Sequence, residues 1–260
     1  MKRMKLSRST IWNPTQTRTL ANTYERQLLR LIRAFGKAAV SALDQALEPA
    51  RALETSPERH LEPTSFRIAW FVQQLKILAE NEIISPGTKI TRQATLAAFR
   101  HGTKYGEMAL VQVGISSKLG EGPADIQVID VLQARNLMAL EGISAETNKQ
   151  IIRSLTDGLN VGEGVVKLRE RLMKEVKDIG FNRARLMAHT ETMHACNEGA
   201  KVRYRQVGIS QVEWLTAKGE RVCPQCAALD GTVYDIDLAP PCPLHPVCRC
   251  TLLPVAGGSR

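Results

Sequence analysis

Five of the chain's six cysteines fall within twenty-eight residues near its end, in the run Cys223-Pro-Gln-Cys226, eighteen residues, His245-Pro-Val-Cys248-Arg-Cys250, with Cys242 just before the histidine. In a secreted chain such density reads as a disulfide framework. The first residues, Met1 to Arg8, carry Lys2, Arg3, Lys5 and Arg8 with no apolar stretch behind them, so no signal peptide is expected. Reduced thiols this close together then point to a metal site. A Cys-x2-Cys turn sets two thiolates on one ion, and zinc asks for four nitrogen or sulfur donors in a tetrahedron. The second pair is open at this level. His245 and Cys248 have the right spacing, Cys250 is an alternative to Cys248, and Cys242 with His245 makes a third possible pair. A surplus of donors and no adjacent acid or base fit a structural zinc ion rather than a catalytic one.

The rest of the chain reads as helix. Apolar residues Tyr24, Leu28, Leu31, Ile32 and Phe35 recur with helical spacing in a stretch from about residue 15 to 53, with a kink or break expected at Pro49. A second helix is expected over 64–83, a turn at Ser85-Pro86-Gly87, and a third helix over 91–113 interrupted by Gly102 and Gly106. Gly120 to Pro123 reads as a loop and as the boundary between two domains, 1–122 and 123–260. Asp125 then opens a helix as its N-cap, ending near Leu140. Further helices are expected over 144–159, 165–177 and 182–206, the last stopped by Gly208. Beyond it the character changes. Val212, Trp214 and Thr216 alternate as in a strand, and Asp230-Gly231 turns into a second short one. Four prolines between residues 240 and 246 forbid regular structure there. The expected fold class is α+β, a predominantly helical body followed by a small β-hairpin and a zinc-stapled loop segment.

No apolar run approaches the 18–20 residues of a membrane span. The formal net charge of +9 favours an anionic partner, most simply nucleic acid. Candidate contacts are the terminal Lys2, Arg3, Lys5 and Arg8 and the helical stripe Arg26, Arg30, Arg33 and Lys37. Such a stripe also suits a solvated helix back.

The segment Arg183-Ala-Arg-Leu-Met-Ala-His-Thr190-Glu191, with Asn197, Tyr204, Gly208 and Trp214, resembles the long helix and following strand of the Mu F-like head-morphogenesis proteins of tailed bacteriophages. Arg221-Val-Cys-Pro-Gln-Cys226 with Asp230-Gly231, Pro240-Pro241, His245-Pro246 and Cys248-Arg-Cys250 is similar to that family's C-terminal signature. The resemblance runs over about 144–255 and is concentrated after Phe181. It implies a non-enzymatic minor head protein of the virion, made in the host cytoplasm. Its implied partners are the portal protein and the major capsid or scaffold proteins, and it would touch packaged double-stranded DNA. It favours Cys223, Cys226, His245 and one or both of Cys248 and Cys250 as donors. Two departures stand out. Gly219-Glu220 precedes Arg221 where the family usually has Asp, and Cys242 sits in a Pro-Cys-Pro-Leu insertion, which makes it the least favoured donor. Arg183, Thr190 and Glu191 are expected to tie the long helix to the hairpin rather than to catalyse. Competing functions are a zinc-stapled DNA-binding regulator and an HNH-type nuclease. The first wants a recognition helix after the donors, and the chain ends at Arg260. The second wants more histidines than the one beside the cluster.

Overall fold

The computed structural model describes residues 15–53, 64–116, 119–217 and 222–256. The basic arm Lys2, Arg3, Lys5 and Arg8 and the Gly219-Glu220-Arg221 stretch lie outside them. Helices dominate: α1 (Arg18–Leu53), α2 (Thr64–Ala79), α3 (Ser85–Gln112), α4 (Pro123–Asn160), α5 (Val165–Glu175) and α6 (Asn182–Gln206). After them come strand β1 (Gln211–Leu215), the short helix α7 (Pro224–Leu229), and strands β2 (Val233–Asp235) and β3 (Thr251–Pro254). The α+β class expected from the sequence is the one observed, with a three-stranded antiparallel sheet in place of a hairpin.

Two compact units share the chain, and neither is a single stretch. One comprises Arg26–Ile90 and Leu137–Arg185. Here the apolar stripe of α1 is buried as its spacing demands, with Leu28, Ile32 and Phe35 closed to solvent, as are Leu75, Ile83, Leu140, Ile151 and Leu172. Each such side chain contributes about 1.5–3 kcal/mol relative to an exposed one. α1 passes through Pro49 to Leu53 without the expected break. Nor is there a turn at Ser85-Pro86-Gly87. α2 enters α3 through a π-helical stretch, Glu80–Ile84, closed by the Ser85 N–H on the Glu80 carbonyl. The wider turn relieves the crowding that a proline ring imposes on the preceding turn. Gly87 is there for packing, since a Cβ on it would meet Leu140 Cδ2 at 2.3 Å. The break expected between Leu140 and Ser144 is likewise absent, and α4 runs through it with Ser144 and Thr147 buried. The Thr147 hydroxyl is satisfied on the Ile143 carbonyl at 2.8 Å.

The other unit comprises Met1–Glu25, Thr91–Asn136 and Leu186–Arg260. Its organising contact is the crossing of α3 on α6. Gly102 and Gly106 do not interrupt α3. They let the two backbones touch. A Cβ on Gly102 would lie 2.0 Å from the Cys196 carbonyl oxygen, and one on Gly106 2.9 Å from Ala200 Cα. Gly199 answers from α6, 2.3 Å from the Phe99 carbonyl by the same measure. Asp125 is not the N-cap of α4 but its third residue. Its carboxylate accepts the Gly122 N–H at 2.8 Å, as the acidic half of a capping box. The same carboxylate accepts from Arg203 of α6 at 3.2 Å, with both side chains almost fully buried. α6 ends at Gly208, as expected, with φ of 76°. The Ile209 N–H reaches back to the Tyr204 carbonyl and the Gly208 N–H to Arg205, a Schellman ending.

The sheet has the order β2-β1-β3. Val212 faces Tyr234 on one side and Pro254 on the other, and Trp214 faces Leu252. Trp214, Val212 and Leu252 pack with Tyr105, Tyr204 and four of the clustered cysteines in one core. Strand β3 had no sequence signal because all four of its residues are buried. A strand without alternation cannot be told from an apolar loop by period.

Candidate metal centre

The Cys-Pro-Gln-Cys segment forms the start of a helix rather than a bare turn. Cys223 is the N-cap of α7 and its sulfur accepts the Cys226 N–H at 3.3 Å. Pro224 takes the first helical position, where an N–H has no intrahelical partner. This hydrogen bond is the main cause that holds the Cys223 thiol below its ordinary range. Cys226 follows one turn later, buried, and burial pushes its thiol up to about 12.

The second set of donors comes from the proline-rich loop between β2 and β3, which has no regular structure, as the prolines require. At its tip Val247 has φ of 60°, unusual for a β-branched residue. Such a conformation costs of order 1–3 kcal/mol and persists only where its surroundings fix it. Two hydrogen bonds do so: Cys248 N–H to the His245 carbonyl at 3.1 Å, and Val247 N–H to Thr190 Oγ1 at 3.2 Å. The turn brings His245 and Cys248 back toward α7. His245 Nδ1 donates to the Pro246 carbonyl at 2.9 Å, which leaves the Nε2 lone pair for the sulfurs.

The donors fall into two triads that share Cys226. Cys223, Cys226 and His245 form one, and Cys226, Cys248 and Cys250 the other, with the donor atoms of each within 4.8 Å of one another. His245 Nε2 is 3.2 Å from both Cys223 Sγ and Cys226 Sγ. Cys226 Sγ is 3.8 Å from Cys248 Sγ. Zinc–sulfur bonds of about 2.3 Å and zinc–nitrogen bonds of about 2.0 Å give a tetrahedron with S···S edges of about 3.8 Å and S···N edges of about 3.5 Å. The edges His245–Cys223, His245–Cys226 and Cys226–Cys248 match that shape to within a few tenths of an ångström, while no four of the donor atoms lie within 4.8 Å of one another, so a fourth donor has to move inward to complete the tetrahedron. Hydrogen bonding from Cys250 lowers the Cys248 thiol to about 5, while the same contact, with burial, pushes Cys250 up. The sulfurs thus share protons among themselves, and a cation can take the place of those protons. The cavity at the cluster is about 30 Å³ and is lined by Ala217, Val222 and Val247 beside the donors. That is room for one ion.

Helix α6 supports this loop from below. Asn197 donates to the Cys250 carbonyl at 3.2 Å and accepts from Thr251 Oγ1 at 2.7 Å. It also donates to Cys242 Sγ at 3.4 Å. Cys242 belongs to neither triad, and its thiol donates to the Cys250 carbonyl at 3.1 Å. Asp230 Oδ1 accepts from both the N–H and the hydroxyl of Thr216, at 2.8 and 2.9 Å. Gly231 adopts φ of 77°, so the turn into β2 requires a glycine.

The geometry divides the three residues expected to tie the long helix to the hairpin. Thr190 does reach the metal loop, through Val247. Glu191 instead pairs with Arg135 of α4 at 2.9 Å, because its position on α6 faces that helix. Arg183 is exposed and falls in the other unit. Arg26, Arg30, Arg33 and Lys37 are all exposed on α1. Sequence reasoning missed the N-capping by Cys223 and the left-handed Val247. Only Pro224, directly after Cys223, carried a signal for the first, since proline favours the opening position of a helix.

Residues 149–253 match the family model described as Phage Mu protein F like protein. A second similarity is to an uncharacterized protein of Methanocaldococcus jannaschii, 27% identical over 192 residues. That alignment covers 72% of this chain and 30% of the archaeal protein, so the chain spans less than a third of that relative's length. No solved structure matches. Every donor of the cluster lies inside the matched segment, and the resemblance to the Mu F-like phage head-morphogenesis proteins is thereby shown over residues 149–253.

Proposed function

We propose that this chain is a minor head protein of a tailed bacteriophage that acts in head assembly at the portal vertex. The domain over 123–260 carries that role, with one structural zinc ion held by Cys223, Cys226, His245 and a fourth sulfur from Cys248 or Cys250. The chain is made in the host cytoplasm and ends in the virion. Its partners there are the portal protein, the major capsid or scaffold proteins, and packaged duplex DNA held without sequence preference. The observation that carries the reading is the family match over residues 149–253, which contains the whole Cys/His cluster. A site with four protein donors supports assembly rather than hydrolysis, since zinc catalysis needs an open coordination position and a neighbouring acid or base. Directly after Cys250, residues Thr251–Pro254 form strand β3 paired with β1, whereas a zinc-finger regulator wants a recognition helix after its donors.

Heads purified from a producing host test this. The chain should be present at low copy, should co-purify with the portal, and its loss should give malformed heads or filled heads that do not infect. Normal infectious particles that never contained the chain would refute the proposal.

A further inference from the structure

The basic stripe of α1 does not stand alone. Gly36 packs against Val176 and Met173, where a Cβ would meet Val176 Cγ1 at 3.0 Å. Gly180 packs on Ile32 in the same way, at 2.8 Å. The Arg33 guanidinium lies over the Phe181 ring, 5.3 Å from its centre. As α1 advances from Ile32 to Gly36, its neighbour therefore runs backward from Gly180 to Val176, so the two segments are antiparallel. The neighbouring segment is the end of α5 and the π-helical stretch Val176–Phe181 that joins it to α6.

This pairing has an electrostatic consequence. Lys37 is one turn beyond Arg33, and Lys177 is about one turn before Phe181. The antiparallel register brings them level. Lys174 extends the line beyond Lys177, Arg185 extends it past Phe181, and Arg30 extends the facing stripe. All six cations are exposed. None of them forms an ion pair among the described residues, although nine other such pairs occur there. Asp178 is the exposed acid beside Lys177. Like charges facing across a helix pair oppose folding, and their placement suits an anionic partner.

We infer that the paired faces of α1 and Lys174–Arg185 form one surface for the phosphate backbone of duplex DNA. This deepens the DNA contact proposed above and rests on that reading. Two helices side by side are about 20 Å across, too wide for a major groove of about 12 Å. The surface therefore rides on phosphates and reads no bases.

The test is DNA binding by the full chain, measured by fluorescence anisotropy on two unrelated duplexes over a salt series. Wild type should bind both alike. The paired substitution Lys37→Gln with Lys177→Gln should lower the steepness of log K against log salt by about 2. Affinity at 0.1 M salt should fall roughly 10- to 60-fold on the same counterion argument. Thermal stability of the double variant should be unchanged or raised, which separates lost binding from lost folding. Lys104→Gln, an exposed lysine of the other unit, should shift the slope by 1 or less. An unchanged slope in the double variant overturns the surface even if the chain is found in heads. A wild-type chain that ignores DNA at low salt but binds an acidic head protein through these lysines overturns it as well.

Discussion

Gly102→Ala is the most demanding test of the fold that supports the metal loop. In an exposed helix interior the change from glycine to alanine stabilises by about 1 kcal/mol. At Gly102 the new Cβ would stand 2.0 Å from the carbonyl oxygen, 2.7 Å from the carbonyl carbon and 2.8 Å from Cα of Cys196. All three are backbone atoms, so no rotamer change makes room. Restoring an ordinary contact of 3.4 Å requires α3 and α6 to part by about 1.4 Å, the difference of those two distances. Overpacking typically costs about 1–3 kcal/mol, and a rigid obstacle puts this case at the upper end. After the propensity gain the variant should lose about 2 kcal/mol. Gly142→Ala in α4 is the counterpart, because nothing lies within 4 Å of the place its new methyl group would take. It should gain about 0.5–1 kcal/mol. Urea denaturation read by circular dichroism gives the midpoints. Hydrogen exchange over α3 and α6 localises the loss, since a chain with two compact units need not unfold in one step. If Gly102→Ala were as stable as wild type, or shifted in the same direction as Gly142→Ala, the close crossing would be wrong.

Native mass spectrometry of chelator-free protein should find one zinc per chain, and Cys223→Ser or Cys226→Ser should leave residues after Gly208 open to protease while the helices survive. The free energy at stake is on the order of 10 kcal/mol for a structural zinc in a small peptide, and unchanged protease resistance would refute the structural role. Replacing Arg203 by Met should destabilise by about 3–5 kcal/mol, because Asp125 is left buried and unpaired. Changing both residues to apolar ones should recover much of the loss in thermal melts. Burial is the main cause that lowers the pKa of His194, with Arg135 adding to it. The stability held by its neutral form is therefore present above the ordinary histidine value of 6.5 and is lost as pH falls through the depressed folded value. A His194→Gln variant should show a flatter decline on acidification, and an identical pH profile would count against the assignment.

How far the sequence reaches can be judged residue by residue. The helices were legible because their apolar stripes recur with helical period, and Leu28, Ile32 and Phe35 are buried as that period requires. Gly208 and Gly231 were legible as turn makers, since only backbone conformation was involved and both take positive φ. The Cys/His cluster was legible from spacing, because the two-residue interval is itself a geometric constraint. Gly87, Gly102 and Gly106 misled for the opposite reason. A glycine that breaks a helix and a glycine that admits a neighbouring helix look the same in one dimension, and only the opposing Leu140 or Cys196 tells them apart. The grouping of donors into two triads around Cys226 and the packing of Ile32 and Gly36 on Gly180 and Val176 both depend on segments far apart in the chain. The sequence by itself determined the local choices, which are set by each residue's own backbone preferences and by hydrophobic period. The tertiary structure alone decided which of those local pieces touch, because contact is a property of two surfaces and each surface is written in a different part of the chain.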